Sequence, residues 1–198
     1  MNKIAEPLRE YGPDPLSTRI VIRLDRWIYH FSAHWLTAFN GVSIAVILAV
    51  ILAPVFRSAT WDGAANAIYR AFSGVCHQDP ERSFQIAGHS FACCERCAAI
   101  YGSLAVFGVL YGLVGAKIRR PRVPELIALG SPVVLDGMAV GSGMYDGSVI
   151  VRVITGTLFS LALIWALYPR FDAGFTGMRD RIETLFERLV TQGRASPL

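Results

Sequence analysis

Residues 76–97 read CHQDPERSFQIAGHSFACCERC and hold all 4 cysteines of the chain and two of its 4 histidines, His77 and His89. Thiolates and imidazoles are the ligands that Zn2+ prefers, and closely spaced thiols are equally the material of disulfide exchange. Cys94 and Cys97 form a C-x-x-C, a spacing at which one turn lets both sulfurs face a single ion. Cys76 lies upstream, with His77 beside it and His89 between. A tetrahedral Zn-type site would take Cys76, Cys94 and Cys97, with His77 as fourth ligand and His89 as the alternative. Adjacent Cys76 and His77 both reach one ion only through a bent backbone, so one of them may have to stand behind the other. Cys93 points elsewhere and is expected to be spare.

The same cysteines admit a redox reading. A C-x-x-C at a helix N-terminus has its first thiol acidified by the helix dipole, and an oxidising exterior favours disulfides. Cys94 would then be the attacking thiol of a membrane thiol-disulfide oxidoreductase exchanging electrons with quinone, in outline like the small helical quinone-linked disulfide generators. A static disulfide, or buried free thiols that staple the loop, is the third reading.

The elements that must position these residues are membrane spans. Of 198 residues, 53% are apolar and only 17% charged, and the mean hydropathy is +0.42, too hydrophobic for a water-soluble chain this short. At roughly twenty residues per crossing, segments 35–56, 98–116, 124–141 and 148–168 are each long enough to span. The third carries Pro132, Asp136 and several glycines, which membrane helices tolerate when neighbours satisfy the backbone. The mixed polar residues before the first span are a poor match to a cleavable signal peptide, so that span should stay as an anchor. The fold class expected is an all-α membrane protein, a four-helix transmembrane bundle.

Basic residues orient it, because Lys and Arg are retained in the cytoplasm. Lys3, Arg9, Arg19, Arg23 and Arg26 precede the first span; Lys117, Arg119, Arg120 and Arg122 link the second to the third; Arg170, Arg179, Arg181 and Arg188 follow the fourth. Both termini should be cytoplasmic, in the inner (plasma) membrane, and loop 57–97 with its Cys/His cluster should face outside. Three regions follow: a cytoplasmic and interfacial segment 1–34, the transmembrane domain 35–168 with its outer loop, and an amphipathic cytoplasmic tail 169–198. In that tail Met178, Ile182, Leu185, Phe186 and Leu189 recur at helical spacing, the pattern of a helix lying on a membrane or a partner. A short amphipathic helix is also expected over 61–72, ended by Gly74. His30 and His34, four apart, would suit a ligand pair, but interfacial packing explains them more simply. The basic residues form no face interleaved with stacking aromatics, so no nucleic-acid partner is expected. The lipid bilayer is the expected surrounding, with other membrane-protein subunits as possible partners.

Two charges fall within spans, Asp136 and Arg152. Such groups are costly in a bilayer and face a bundle interior or a water-filled cavity. Counting inward from the outer ends of their helices puts both roughly 6 to 9 Å deep, so they are expected to pair and to share an outer vestibule with the cysteines. Asp136 could then serve as base, with Arg82 or Arg152 holding an anionic group such as a lipid phosphate. A closed four-ligand site would instead indicate an accessory subunit of a larger membrane complex, and a pair that only fixes helix register is the simpler reading of Asp136 and Arg152.

The motifs CHQxPxRSF (Cys76, His77, Gln78, Pro80, Arg82, Ser83, Phe84), CxRCxxIY (Cys94, Arg96, Cys97, Ile100, Tyr101) with Gly102 following, DG (Asp136, Gly137) and RxxTG (Arg152, Thr155, Gly156) resemble those of the small membrane proteins grouped as domain of unknown function 2085. The resemblance covers residues 70–165. It implies the architecture and this choice of residues and carries no activity.

A reporter fused after Leu198 or within residues 117–122 should report cytoplasm, and an engineered cysteine near Asp146 should be labelled from outside in a cysteine-free background. Labelling of that cysteine only from the cytoplasm would overturn the outer vestibule.

Overall fold

The computed structural model describes residues 15–115 and 118–191, with side chains from Ile20 onward. Lys3, Arg9, Lys117 and the side chain of Arg19 lie outside the described residues. In chain order come α1 (Pro15–Ser58), α2 (Asp62–Phe72), a 3-10 turn (Pro80–Arg82), β1 (Gln85–Ile86), β2 (His89–Ser90), α3 (Glu95–Val114), α4 (Val123–Gly141) and α5 (Val149–Thr191). Four helices, α1, α3, α4 and α5, are long and apolar enough to cross a membrane. The chain is an all-α membrane protein built on four spanning helices.

The first and last spans run on into their flanking segments, so α1 has 44 residues and α5 has 43. Pro54 and Pro169 stand inside them without ending them. Among the described residues two compact units result, one within 36–169 and the other formed by 15–35 with 170–191. In the second unit the amphipathic tail finds its cover within the chain. Tyr29 donates to Glu183 Oε1 at 2.8 Å, and Trp35 packs edge-on against Phe171 with ring centroids 6.0 Å apart. Numbers rise along one helix as they fall along the other, so the two segments pair antiparallel. Ile182, Phe186 and Leu189, three of the tail's apolar positions, are buried, and the Arg26 guanidinium lies 5.6 Å from the Phe186 ring centre. His30 and His34 meet only through the backbone, His34 Nδ1 lying 3.0 Å from the His30 carbonyl.

In the unit of residues 36–169, α3 packs closely on α5. Apolar helices gain little from burying carbon in lipid, so small residues and interhelical hydrogen bonds hold them together. Ser160 is fully buried and donates to the Ile100 carbonyl at 2.9 Å; Ser103 donates to Thr157 Oγ1 at 3.1 Å. A Cβ on Gly156 would stand 2.8 Å from the Arg96 carbonyl oxygen and 3.3 Å from Ala99 Cβ. The glycine therefore sets the distance between the two helices.

The loop between α1 and α3 is a folded lid. Asp79 caps the 3-10 turn by accepting from Glu81 N–H at 3.1 Å, and Pro80 occupies its first position. The hairpin turns on Ala87 and Gly88, both at positive φ, 51° and 78°, as a two-residue type I′ turn requires. Gln78 staples the lid, its amide donating to the Tyr69 carbonyl at 2.7 Å and the Ala92 carbonyl at 2.9 Å.

Replacing Gly156 by Leu should destabilise the protein by about 1–3 kcal/mol through overpacking, read as lower thermal stability in detergent. Gly130→Leu, with nothing within 4 Å of its Cβ position, should match the wild type.

Candidate metal centre and its cavity

One turn of α3 organises the centre. Helix α3 begins at Glu95, a turn before its apolar run, with Cys94 as N-cap in an extended conformation (φ −66°, ψ 163°). The sequence Cys94-Glu95-Arg96-Cys97 thus places two thiols and two opposite charges on a single turn, where successive side chains fan out around the axis. Cys94 N–H donates to Cys76 Sγ at 3.1 Å. The sulfurs of Cys76, Cys94 and Cys97 all lie within 4.8 Å of one another, and all 4 cysteines are free thiols. Hydrogen bonds from Cys93, Cys94 and Cys97 draw the Cys76 thiol below its usual range. The hydrogen bond to Cys76, followed by burial, pushes the Cys93 thiol up.

The lid carries Cys76 to α3, and a proline in α1 helps to hold it there. Pro54 has no N–H, which leaves the Val50 carbonyl, four residues earlier, without its helical donor. That carbonyl accepts from Ala92 N–H at 3.4 Å. Val50, Cys76 and Cys93 form one buried cluster, with Phe72 and Tyr101 packed against it. Cys93 is 0% exposed, belongs to that buried cluster and stands outside the three-thiol group.

The three clustered thiols share the wall of a cavity of about 460 Å³ with His77, Asp79, Arg82, Arg96 and Arg152. His77 reaches this cavity without joining the thiol group, whose members among the described residues are the three cysteines alone. His89 lies on β2 and lines a different cavity, of about 330 Å³, with Arg57, Tyr69 and Gln78. Neither histidine falls within the group of ligand atoms that the three thiols form among the described residues.

Asp136 and Arg152 are both buried, as their depth required, but they do not pair with each other. Residues of α3 intervene. Arg152 Nη1 donates to Glu95 Oε2 at 2.9 Å and its Nη2 to the Asp146 carbonyl at 2.7 Å. Asp136 is held by the Arg96 guanidinium on one oxygen and the Tyr145 hydroxyl on the other. Equal depth left the partners open, and the first turn of α3 supplied both. Arg82 is half-exposed and paired with Asp79 at 3.3 Å. Arg96 retains a buried Nε–H with no partner. Sequence reasoning missed Glu95, Arg96 and Tyr145 as parts of this site. Arg96 had a signal, its place in the CxRC motif.

Comparison with known proteins points the same way. Residues 76–166 match the family model described as a predicted membrane protein, domain of unknown function 2085. An uncharacterized protein of Methanocaldococcus jannaschii is 31% identical over 132 residues, 63% of this chain and 84% of the relative. An uncharacterized protein of Methanothermobacter thermautotrophicus is 31% identical over 85 residues, 43% of this chain and 77% of the relative. No solved structure matches the chain.

Arg152→Met alone should destabilise the protein by about 3–5 kcal/mol, because Glu95 is left buried and uncompensated. Adding Glu95→Leu should recover most of that loss in a chemical unfolding series, whereas adding Asp136→Leu should not, since it strands Arg96 as well. Equal rescue by both second substitutions would contradict the pairing.

Proposed function

The chain belongs to the family of predicted membrane proteins grouped as domain of unknown function 2085, and on that premise we propose that it is a membrane metal-thiolate protein holding a Zn2+-type ion through Cys76, Cys94 and Cys97. The observation that carries this reading is the convergence of three thiols, none joined in a disulfide, on the wall of one cavity. A structural Zn2+ site is closed by four protein ligands, whereas a catalytic one keeps a position open. All three thiols line the cavity, so water or a donor atom of a ligand within it would complete the tetrahedron. Such an ion supplies Lewis-acid polarisation of the group bound to it.

The reading extends to a metal-dependent enzyme acting on a lipid-like substrate with an anionic group. Arg82 and Arg96 support it, the first by its exposure and the second by the unused N–H on the cavity wall. Asp136 and Arg152 serve by holding that wall, because their polar atoms are committed to Arg96, Tyr145, Glu95 and Asp146. The distribution of basic residues supports cytoplasmic termini and an outward-facing thiol cluster in the plasma membrane.

Metal analysis of the purified protein tests the reading. The wild type should carry about one Zn2+ per chain, each of Cys76→Ser, Cys94→Ser and Cys97→Ser should lose it, and His89→Ala should keep it. Metal content unchanged by all three serine substitutions would eliminate the site.

A further inference from the structure

A second cavity lies toward the end of α3 away from the thiols. It measures about 260 Å³ and runs between α3 and α5, with Phe107, Leu110 and Val114 on one wall, Leu161 and Trp165 on the other, and Ile118 at its end. Its surface is almost wholly carbon. Toward the thiols α3 and α5 touch through Gly156 and Ser160, whereas from Phe107 onward a groove opens between them.

The chain that leaves α3 is drawn over the end of this groove. Trp165 Nε1–H donates to the Arg119 carbonyl at 2.8 Å, and the Arg119 guanidinium lies 5.0 Å from the Trp165 ring centre. Arg119 also pairs with Glu125, whose Oε2 accepts from the Arg122 N–H at 2.8 Å. That carboxylate is thereby engaged. Arg120 and Arg122 follow Ile118 by two and four residues, and both are exposed. Segment 117–122 holds Lys117, Arg119, Arg120 and Arg122 and no acidic residue.

An unfilled groove costs its lining the contacts it could make, and in a bilayer the flexible apolar segment at hand to fill it is a lipid chain. The chain itself supplies little preference, because lipid tails are as apolar as the leucines they meet. Preference must come from the head group, and this groove ends beneath a block of positive charge. A second copy of the chain is the wrong occupant, since it would bring the same basic segment to the same level of the membrane.

We infer that the groove is a binding site for an anionic phospholipid, with an acyl chain between α3 and α5 and the phosphate on Arg120 and Arg122. Arg119 stays with Glu125 and Trp165 and positions the linker. The site is separate from the thiol cavity and stands whether or not the thiols take a metal.

Delipidated protein in detergent, titrated with phosphatidylglycerol or with phosphatidylcholine of the same acyl chains and read by native mass spectrometry, tests the site. Phosphatidylglycerol should bind more tightly. Arg120→Gln and Arg122→Gln should each weaken it about fivefold, the worth of one basic residue at a membrane surface, and leave phosphatidylcholine unchanged. Leu110→Trp, which fills the groove from a half-exposed position, should weaken phosphatidylglycerol although every charge remains. Phosphatidylglycerol brominated on its acyl chains should quench the wild-type fluorescence and quench Trp165→Phe much less, which locates the chain even if Leu110→Trp does not fold. Equal affinity for the two lipids, or a preference that both glutamine variants retain, would overturn the site. So would quenching that Trp165→Phe leaves unchanged, the signature of head groups held by charge without the groove. A dimer that Leu110→Trp dissociates would give the groove to a second copy instead.

Discussion

Two ion pairs leaving one turn of α3 fix the structure around the thiols. Glu95 reaches Arg152 on α5, and Arg96 reaches Asp136 on α4. Charges taken out of water cost several kcal/mol each, and the attraction between partners returns that only with good geometry and further hydrogen bonds. Here the further bonds exist: Tyr145 completes Asp136 and the Asp146 carbonyl completes Arg152. Such pairs add little net stability over an apolar replacement, but they penalise every other arrangement of the helices heavily. Because Cys94 and Cys97 flank the two charged residues, the register that satisfies the ion pairs is also the register that turns the thiols toward Cys76.

Glycines supply the room these interactions need. A Cβ at Gly137 would stand 3.1 Å from Arg96 Nη1, so the residue after Asp136 makes space for the arginine that Asp136 binds. Gly147, at φ 75°, would place a Cβ 2.8 Å from Arg152 Nη2. Gly156 lets α5 touch the backbone of the turn that carries Glu95 and Arg96. Two of them make space for an arginine side chain and the third for a helix backbone, which gives the DG and TG dipeptides a physical meaning that hydropathy alone does not provide.

The spanning helices were legible because hydropathy and length are properties of a single stretch of chain. The ion-pair partners were not. Starting the second span at residue 98, where its apolar run begins, left Glu95 and Arg96 among loop charges and made Asp136 and Arg152 look like two charges with only each other. The helix begins at Glu95, capped by a cysteine that makes no side-chain cap bond, so the usual Ser, Thr, Asp or Asn signal for a start was absent. The clustering of three cysteines was legible from spacing, but the placement of His77 and His89 outside that cluster was not, because both sit in the lid, whose course depends on Gln78 and the hairpin turn. The burial of Cys93 was not legible either: with no helical or strand period in residues 91–94, nothing in the sequence marked it as buried.

The lid makes the thiol geometry depend on α1 as well as on α3, α4 and α5. Inside an intact helix each carbonyl already accepts from the N–H four residues on. Pro54 opens one such position at Val50, and the Ala92 amide fills it. Ala92 is also where Gln78 attaches, through its carbonyl, and it immediately precedes Cys93. The backbone that delivers Cys93 and Cys94 is thus held by α1 on one side and by the segment bearing Cys76 on the other. Four thiols in a flexible loop would collapse into whichever disulfide formed first. Held at both ends, three of them line the cavity and Cys93 stays buried off its wall.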